Sequence, residues 1–227
     1  MISCICPTYN RRHLLEEAIQ CFLDQTHNDA ELIILNDTPG QTLCLDLDDE
    51  RITLINMSER FPTIAQKWNY LHRLAKGDWI CQWDDDDIYF PNRLADNYQH
   101  IDKGCALIQP YGWLSLIYGK LGYDTNLHPA KGIYSGAFWR QAKPMPDHVL
   151  VGTDAWVFDQ AKGDVYSYTV PPQQAQILYR WGMGHVHLSG HKEGNFFRIG
   201  QKPIDKGTFT LIPKYNDDYL KLKENYV

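Results

Sequence analysis

Hydrophobic and polar positions recur with a changing period along the first hundred residues, and the period predicts the elements. Residues 2–6 form a short apolar run closed by Pro7, the pattern of a buried strand. Over 12–25 the apolar positions Leu14, Leu15, Ala18, Ile19, Phe22 and Leu23 fall three and four apart, which predicts a helix with one buried stripe. Residues 31–35 read as a second buried strand running into Asn36 and Asp37, and 52–55 as a third. A helix is predicted over 62–75 with Gly77 as its stop, then a fourth strand over 79–83. Pro91 suits the first position of a helix reaching to residue 101.

This βα alternation predicts a parallel, doubly wound sheet. In such sheets ligands bind outside the carboxyl ends of the strands. Three polar segments, 7–10, 36–37 and 84–87, fall at those ends and are expected to share one edge. Beyond residue 104 the pattern loosens. Residues 106–118 and the stretch 165–179 look strand-like, and 153–162 reads as a short helix with Thr153 as its N-cap. The second half is expected to complete a mixed sheet rather than to form a separate domain.

Charge narrows the function classes. The formal net charge of −6 and the absence of a basic cluster larger than Arg11-Arg12 exclude a nucleic-acid-binding surface. Cys4, Cys6, Cys21, Cys44, Cys81 and Cys105 show no CxxC pair, and several sit inside apolar runs, which fits reduced, buried thiols. No stretch reaches the ~18 apolar residues of a membrane span. Met1 leads straight into the first strand, so no signal peptide is expected. The expected location is the cytoplasm. Peripheral contact with the inner face of a membrane, through the tail 219–226, is the variant left open.

The chemistry concentrates in Asp84, Asp85, Asp86 and Asp87, four consecutive carboxylates directly after the fourth strand. Like charges at such spacing resist ionisation unless a cation offsets them. Hard divalent ions, Mg²⁺ or Mn²⁺, take carboxylate oxygens together with substrate phosphates and water. A solvated loop in which Asp87 caps the following helix accounts for one of the four acids and not for the rest.

Pro7-Thr8-Tyr9-Asn10 after the first strand, Asn36-Asp37 after the second, and the segment from Gly77 through the acid run to Leu94 together resemble family 2 glycosyltransferases. The resemblance covers residues 2–102. It implies the GT-A fold, a Rossmann-like mixed α/β sheet flanked by helices, as a single domain over 1–227. Residues 1–103 would bind the nucleotide-sugar and 104–227 the acceptor. The implied activity is inverting transfer of a sugar from a nucleotide-diphosphate sugar, a UDP-sugar by preference, to the hydroxyl of a carbohydrate or glycolipid acceptor.

By the same resemblance Pro7, Thr8, Tyr9 and Asn10 line the base and ribose, and Asp37 accepts from the base N3–H. Lys67 or Arg60 faces the diphosphate, and Asn69 belongs to the nucleotide site. Asp84 and Asp85 face the ribose, while Asp84 and Asp86 match the two acids of the Asp-x-Asp motif, with Asp86 on the Mn²⁺ or Mg²⁺. Asp154 corresponds to the catalytic base, although Thr153 stands where the family usually has Glu. Of the late histidines, His185 and His187 are candidate metal ligands, His187 being preferred. Processive members carry Gln-x-x-Arg-Trp. Here Gln176 precedes Arg180 and Trp181 by one residue too many, which favours a single transfer.

Two rivals remain at this point. A sugar-1-phosphate nucleotidyltransferase would need a Gly-rich phosphate loop after the first strand, where this chain has Pro7-Thr8-Tyr9-Asn10. A non-catalytic nucleotide-sugar sensor or degenerate partner subunit on the same fold would have little reason to keep four repelling carboxylates.

Overall fold

The computed structural model describes residues 1–125, 131–149, 153–161, 163–181, 204–215 and 218–224. At its centre β1 (Ile2–Thr8) pairs in parallel with β2 (Ala30–Asn36) on one side and β5 (Trp79–Gln82) on the other. β4 (Ile52–Asn56) extends the sheet in parallel beyond β2. On the far side β10 (Ile133–Ser135) runs antiparallel between β5 and β7 (Leu107–Tyr111), and β11 (Val165–Thr169) is parallel to β7. The seven-stranded order is β11-β7-β10-β5-β1-β2-β4. The sheet is therefore mixed. The alternation in the first half predicts its parallel core, and the reversed strand comes from the less regular second half.

β1 is apolar without interruption because both of its faces are covered, as expected for a central parallel strand. Ile2, Cys4 and Cys6 pack with Leu15, Ala18, Ile19 and Phe22 of α1 (Arg12–Leu23). Ile5 points the other way, into Ala65, Trp68 and Leu71 of α2 (Ile64–Leu74). Each such fully buried aliphatic side chain contributes about 1.5–3 kcal/mol. α2 is capped by Thr63, whose hydroxyl accepts the Gln66 N–H at 3.2 Å. α1 has no side-chain cap, so its packed stripe holds it.

Three expectations change. The helix expected from Pro91 starts later, as α3 (Arg93–Tyr98), with Asn92 in the capping position. The Pro91 carbonyl is taken by the Thr26 N–H at 2.9 Å. Residues 106–118 are not one strand but two, β7 and β8 (Trp113–Ile117), which lie in different sheets. The break is Gly112 at φ +131°, where a Cβ would run into the Tyr123 hydroxyl and the Val170 carbonyl. The stretch 165–179 likewise divides into β11 and β12 (Ile177–Trp181).

β12 belongs to a four-stranded sheet ordered β6-β12-β8-β9, with β6 at Ile88–Tyr89 and β9 at Lys120–Asp124. β3 (Gln41–Leu45) pairs in parallel with β13 (Gly207–Leu211). Helices α4 (Gly136–Gln141), α5 (Thr153–Ala161) and α6 (Asp218–Glu224), with short 3-10 turns at Ile101–Lys103 and Pro172–Gln174, complete the described elements. All six cysteines are free, Cys4, Cys6, Cys21 and Cys81 buried and Cys44 exposed. Among the described residues no helix is long and apolar enough to cross a membrane.

Candidate functional site

The register brings the three polar segments together as the sequence pattern anticipates. Thr8 at the end of β1 lies beside Asn36 of β2, which lies beside Asn56 of β4. Just beyond β5, the Trp83 N–H donates to the Ile5 carbonyl at 3.0 Å, so residues 84–87 emerge next to the Pro7–Asn10 turn. Asn10 makes that turn at φ +53°, a left-handed conformation that asparagine tolerates. Its N–H donates to Thr38 Oγ1 at 2.8 Å, and its Oδ1 accepts the Asp205 N–H at 2.9 Å. Asn10 thus shapes the loop. Tyr9 is half-buried with the Arg60 guanidinium 4.3 Å from its ring centroid, a cation–π pair at the mouth of the site.

Beneath the loop lies a closed ion pair. Lys67 Nζ donates to Asp37 Oδ1 at 2.5 Å and to the Thr8 carbonyl at 2.6 Å, and the Phe61 N–H donates to Asp37 Oδ2 at 3.0 Å. Both side chains are buried, and burial pulls the Lys67 ammonium below its ordinary pKa against the opposing charge of Asp37. Lys67, expected to face a diphosphate, here fixes Asp37 and the end of β1. Asn69, also expected in the nucleotide site, contacts backbone. Its amide nitrogen donates to the Met145 carbonyl at 2.8 Å and its oxygen accepts the Met145 N–H at 2.9 Å. It binds backbone, tying α2 to the segment before α5.

The acid run divides its four carboxylates. Asp85 is fully buried and lies 2.6 Å from Arg11 Nη2, while Asp86 lies 2.7 Å from Arg11 Nη1. Asp87 turns inward to Lys131 Nζ at 3.2 Å and accepts the Arg180 N–H at 2.9 Å. Burial, reinforced by the charges of Asp86 and Asp87, pushes the Asp84 carboxyl up to about 8. Burial also lifts Asp85 to about 6, Arg11 opposing. For Arg11 burial works downward, yet Asp85, Asp86 and Asp84 together hold it above its ordinary value.

Among the described residues no group of three or more His, Cys, Asp or Glu side chains is placed to hold a metal by itself. The donor set still fits a hard cation. Asp84 and Asp86 offer oxygen ligands, and a substrate diphosphate supplies the remaining ligands of such ions. Asp87, turned to Lys131, takes a structural part.

Arg180, met in the sequence only through the near-match to Gln-x-x-Arg-Trp, reaches the acid run. Its Nε donates to the Asp86 carbonyl at 2.7 Å, and its Nη1 reaches Glu17 of α1 at 2.7 Å and the Tyr219 hydroxyl of α6 at 3.0 Å. Arg11 and Lys131 join it at the acid run. Only a charge count around residues 84–87 could have pointed to them, since four carboxylates demand cations from somewhere. Asp154 lies in the first turn of α5, and its side chain is outside the described residues. His185 and His187 are outside them altogether.

The arrangement places the Asp37 carboxylate, the Tyr9 ring and the Asp84 and Asp86 carboxylates along one sheet edge. The Glycosyl transferase family 2 profile matches residues 3–117, a little over half of the chain. The GalNAc(5)-diNAcBac-PP-undecaprenol beta-1,3-glucosyltransferase of Campylobacter jejuni is 30% identical over 99% of this chain and 84% of its own length. An uncharacterized glycosyltransferase of Haemophilus influenzae is 27% identical over 45% of this chain, which spans only 35% of that relative.

Solved structures match by fold. S. aureus TarS 1–349, in complex with UDP-GlcNAc, superposes with a TM-score of 0.62 at 14% identity, over 86% of this chain and 59% of that one. Mannosyltransferase PcManGT from Pyrobaculum calidifontis, in complex with GDP-Man and Mn²⁺, gives 0.55 at 16% identity, over 78% and 56%. The mixed sheet is thus the GT-A fold.

Proposed function

The chain belongs to glycosyl transferase family 2, and from that premise we propose that it is a metal-dependent, inverting glycosyltransferase using a UDP-sugar in a single transfer. The observation that carries the reading is the convergence of Asp37, Tyr9 and the acid run at one sheet edge. The relatives' chemistry points the same way, since a Campylobacter relative acts on an undecaprenol-linked glycan and TarS binds UDP-GlcNAc. A carbohydrate or glycolipid acceptor is the corresponding proposal here. Residues 1–103 serve the donor and 104–227 the acceptor within one domain.

In this reading Asp37, with its outer lone pairs directed by Lys67 and the Phe61 N–H, accepts the uracil N3–H. Tyr9 stacks on the base, with Arg60 on the ring or exchanging its place with the base. Pro7 and Thr8 close the ribose side together with Asp84 and Asp85, and Asn10 sets the turn that carries them. Asp84 and Asp86 would hold Mn²⁺ or Mg²⁺, with His187 as a further candidate ligand. A bound divalent ion offsets charge on the departing nucleotide as a Lewis acid. Asp154 takes the proton of the acceptor hydroxyl as general base as that oxygen attacks the anomeric carbon from the opposite face.

Calorimetry of the protein with UDP, GDP, TDP and CDP, each with and without Mn²⁺, tests the donor half. Mn²⁺-dependent binding to UDP in preference to the others is expected. No binding to any diphosphate would end the glycosyltransferase reading. Asp154→Asn tests the acceptor half. Donor binding should persist while transfer falls about 10²–10⁴-fold, and near-wild-type transfer would mean that the base lies elsewhere.

A further inference from the structure

Arg11 is the first residue after the loop 7–10, and its side chain crosses to the acid run rather than to solvent. Nη2 lies 2.6 Å from Asp85 and Nη1 lies 2.7 Å from Asp86, with the arginine side chain only 17% exposed. The two nitrogens serve two different carboxylates, so the guanidinium bridges them in the manner of a metal ion. Shielded contacts of this kind are weakly screened by salt.

Resting on the donor site described above, we propose that Arg11 is a built-in cation that competes with the divalent ion for Asp86. The nucleotide releases it, so that metal and nucleotide bind as a coupled pair. A divalent ion at Asp86 would sit against the positive charge of Arg11 or displace it. Displaced from Asp86 without a new partner, the guanidinium would keep Asp85 but leave a buried N–H group unpaired, which is costly. A diphosphate changes that. Its oxygens accept the planar fork of an arginine at least as well as a carboxylate does. The guanidinium can then leave Asp86 for phosphate while Asp85, fully buried, keeps its other nitrogen. Coupling of this kind is reciprocal, so metal must strengthen nucleotide binding by the factor that nucleotide strengthens metal binding.

A purely structural Arg11, stapling the loop to the acid run, predicts the opposite sign when it is removed. Loss of a staple weakens metal binding, whereas loss of a competitor strengthens it. Free Mn²⁺ is followed by electron paramagnetic resonance during titration of the full chain, with and without UDP. Wild type, Arg11→Gln and Arg11→Lys are compared. Wild type should bind Mn²⁺ at least about tenfold more tightly with UDP than without it. Arg11→Gln should bind Mn²⁺ alone more tightly than wild type does and shrink the UDP effect to about threefold or less. Arg11→Lys, a point charge that cannot bridge two carboxylates, should fall between.

Wild-type Mn²⁺ affinity that is indifferent to UDP, while both ligands bind, overturns the proposal and needs no variant. A folded Arg11→Gln, or Arg11→Lys, that binds Mn²⁺ alone no more tightly than wild type also overturns it. Failure of wild type to bind UDP at any Mn²⁺ concentration is a different result, and removes the donor reading itself.

Discussion

Two buried charge assemblies lie side by side under the same loop, and they are built on opposite principles. Asp37 and Lys67 form one carboxylate and one ammonium with every direct contact supplied by the protein: a 2.5 Å ion pair, the Thr8 carbonyl and the Phe61 N–H. The acid run sets four carboxylates against the side-chain charges of Arg11 and Lys131, and burial, reinforced by the charges of Asp86 and Asp87, pushes Asp84 up to about 8. The first assembly is complete as folded. The second leaves more carboxylates than facing cations, and on the proposed reading a divalent ion completes it. A balanced buried pair preorganises a group that must not move, whereas an unbalanced cluster stores an affinity, and the loop Pro7–Asn10 is held by one and faces the other.

The sharpest way to break the comparison is to open the balanced pair. Lys67→Met leaves Asp37 buried beside the Phe61 N–H without its counter-ion, and breaking a buried pair from one side costs about 3–5 kcal/mol. Urea unfolding of metal-free protein should show a loss of that order. The double variant Lys67→Met/Asp37→Leu removes both charges and should recover most of it, because replacing a buried pair by apolar groups of similar volume is often neutral. Both variants should lose UDP binding, so stability and function separate. If Lys67→Met unfolds at the wild-type urea midpoint, the pair is not the closed assembly described here.

How far the sequence foretold this arrangement depends on the range over which each feature is determined. β1, β2, β5, α1 and α2 were legible because one strand or helix carries its own period, and both faces of a central strand must be apolar. The positions of Asp37 and residues 84–87 followed, since a strand end is a local fact. The division at Gly112 was not legible, because a glycine inside an apolar run reads as an interruption until Tyr123 and Val170 are known to crowd it. Nor was β10, a three-residue strand whose identity comes from the two neighbours it pairs with.

Pairing across the fold was the least legible of all. Lys67 and Asn69 sit two apart on one helix and look equivalent in sequence. One turns to Asp37 on β2's end and the other to the Met145 backbone, a choice made by tertiary contacts alone. Arg11, Lys131 and Arg180 come from three distant segments and meet only at the acid run.

The unbalanced assembly yields the opposite sign. Asp84 has a folded pKa of about 8 against an ordinary value of 3.8, so its ionisation is favoured in the unfolded chain and opposed in the fold. A raised folded pKa means that its contribution to stability is fully present below about 4 and is lost as pH rises towards 8. Asp84→Asn carries no charge to suppress. In chelator-treated protein it should unfold at the same urea concentration as wild type near pH 4 and become progressively more stable than wild type as the pH rises towards 8. The same variant should bind Mn²⁺ with UDP more weakly, since it surrenders a ligand. Stabilisation at high pH combined with weaker metal binding is what a cluster kept for an external cation requires. A destabilised Asp84→Asn at pH 8 would mean that the acid run is already balanced within the protein, and the contrast with Asp37 and Lys67 would disappear.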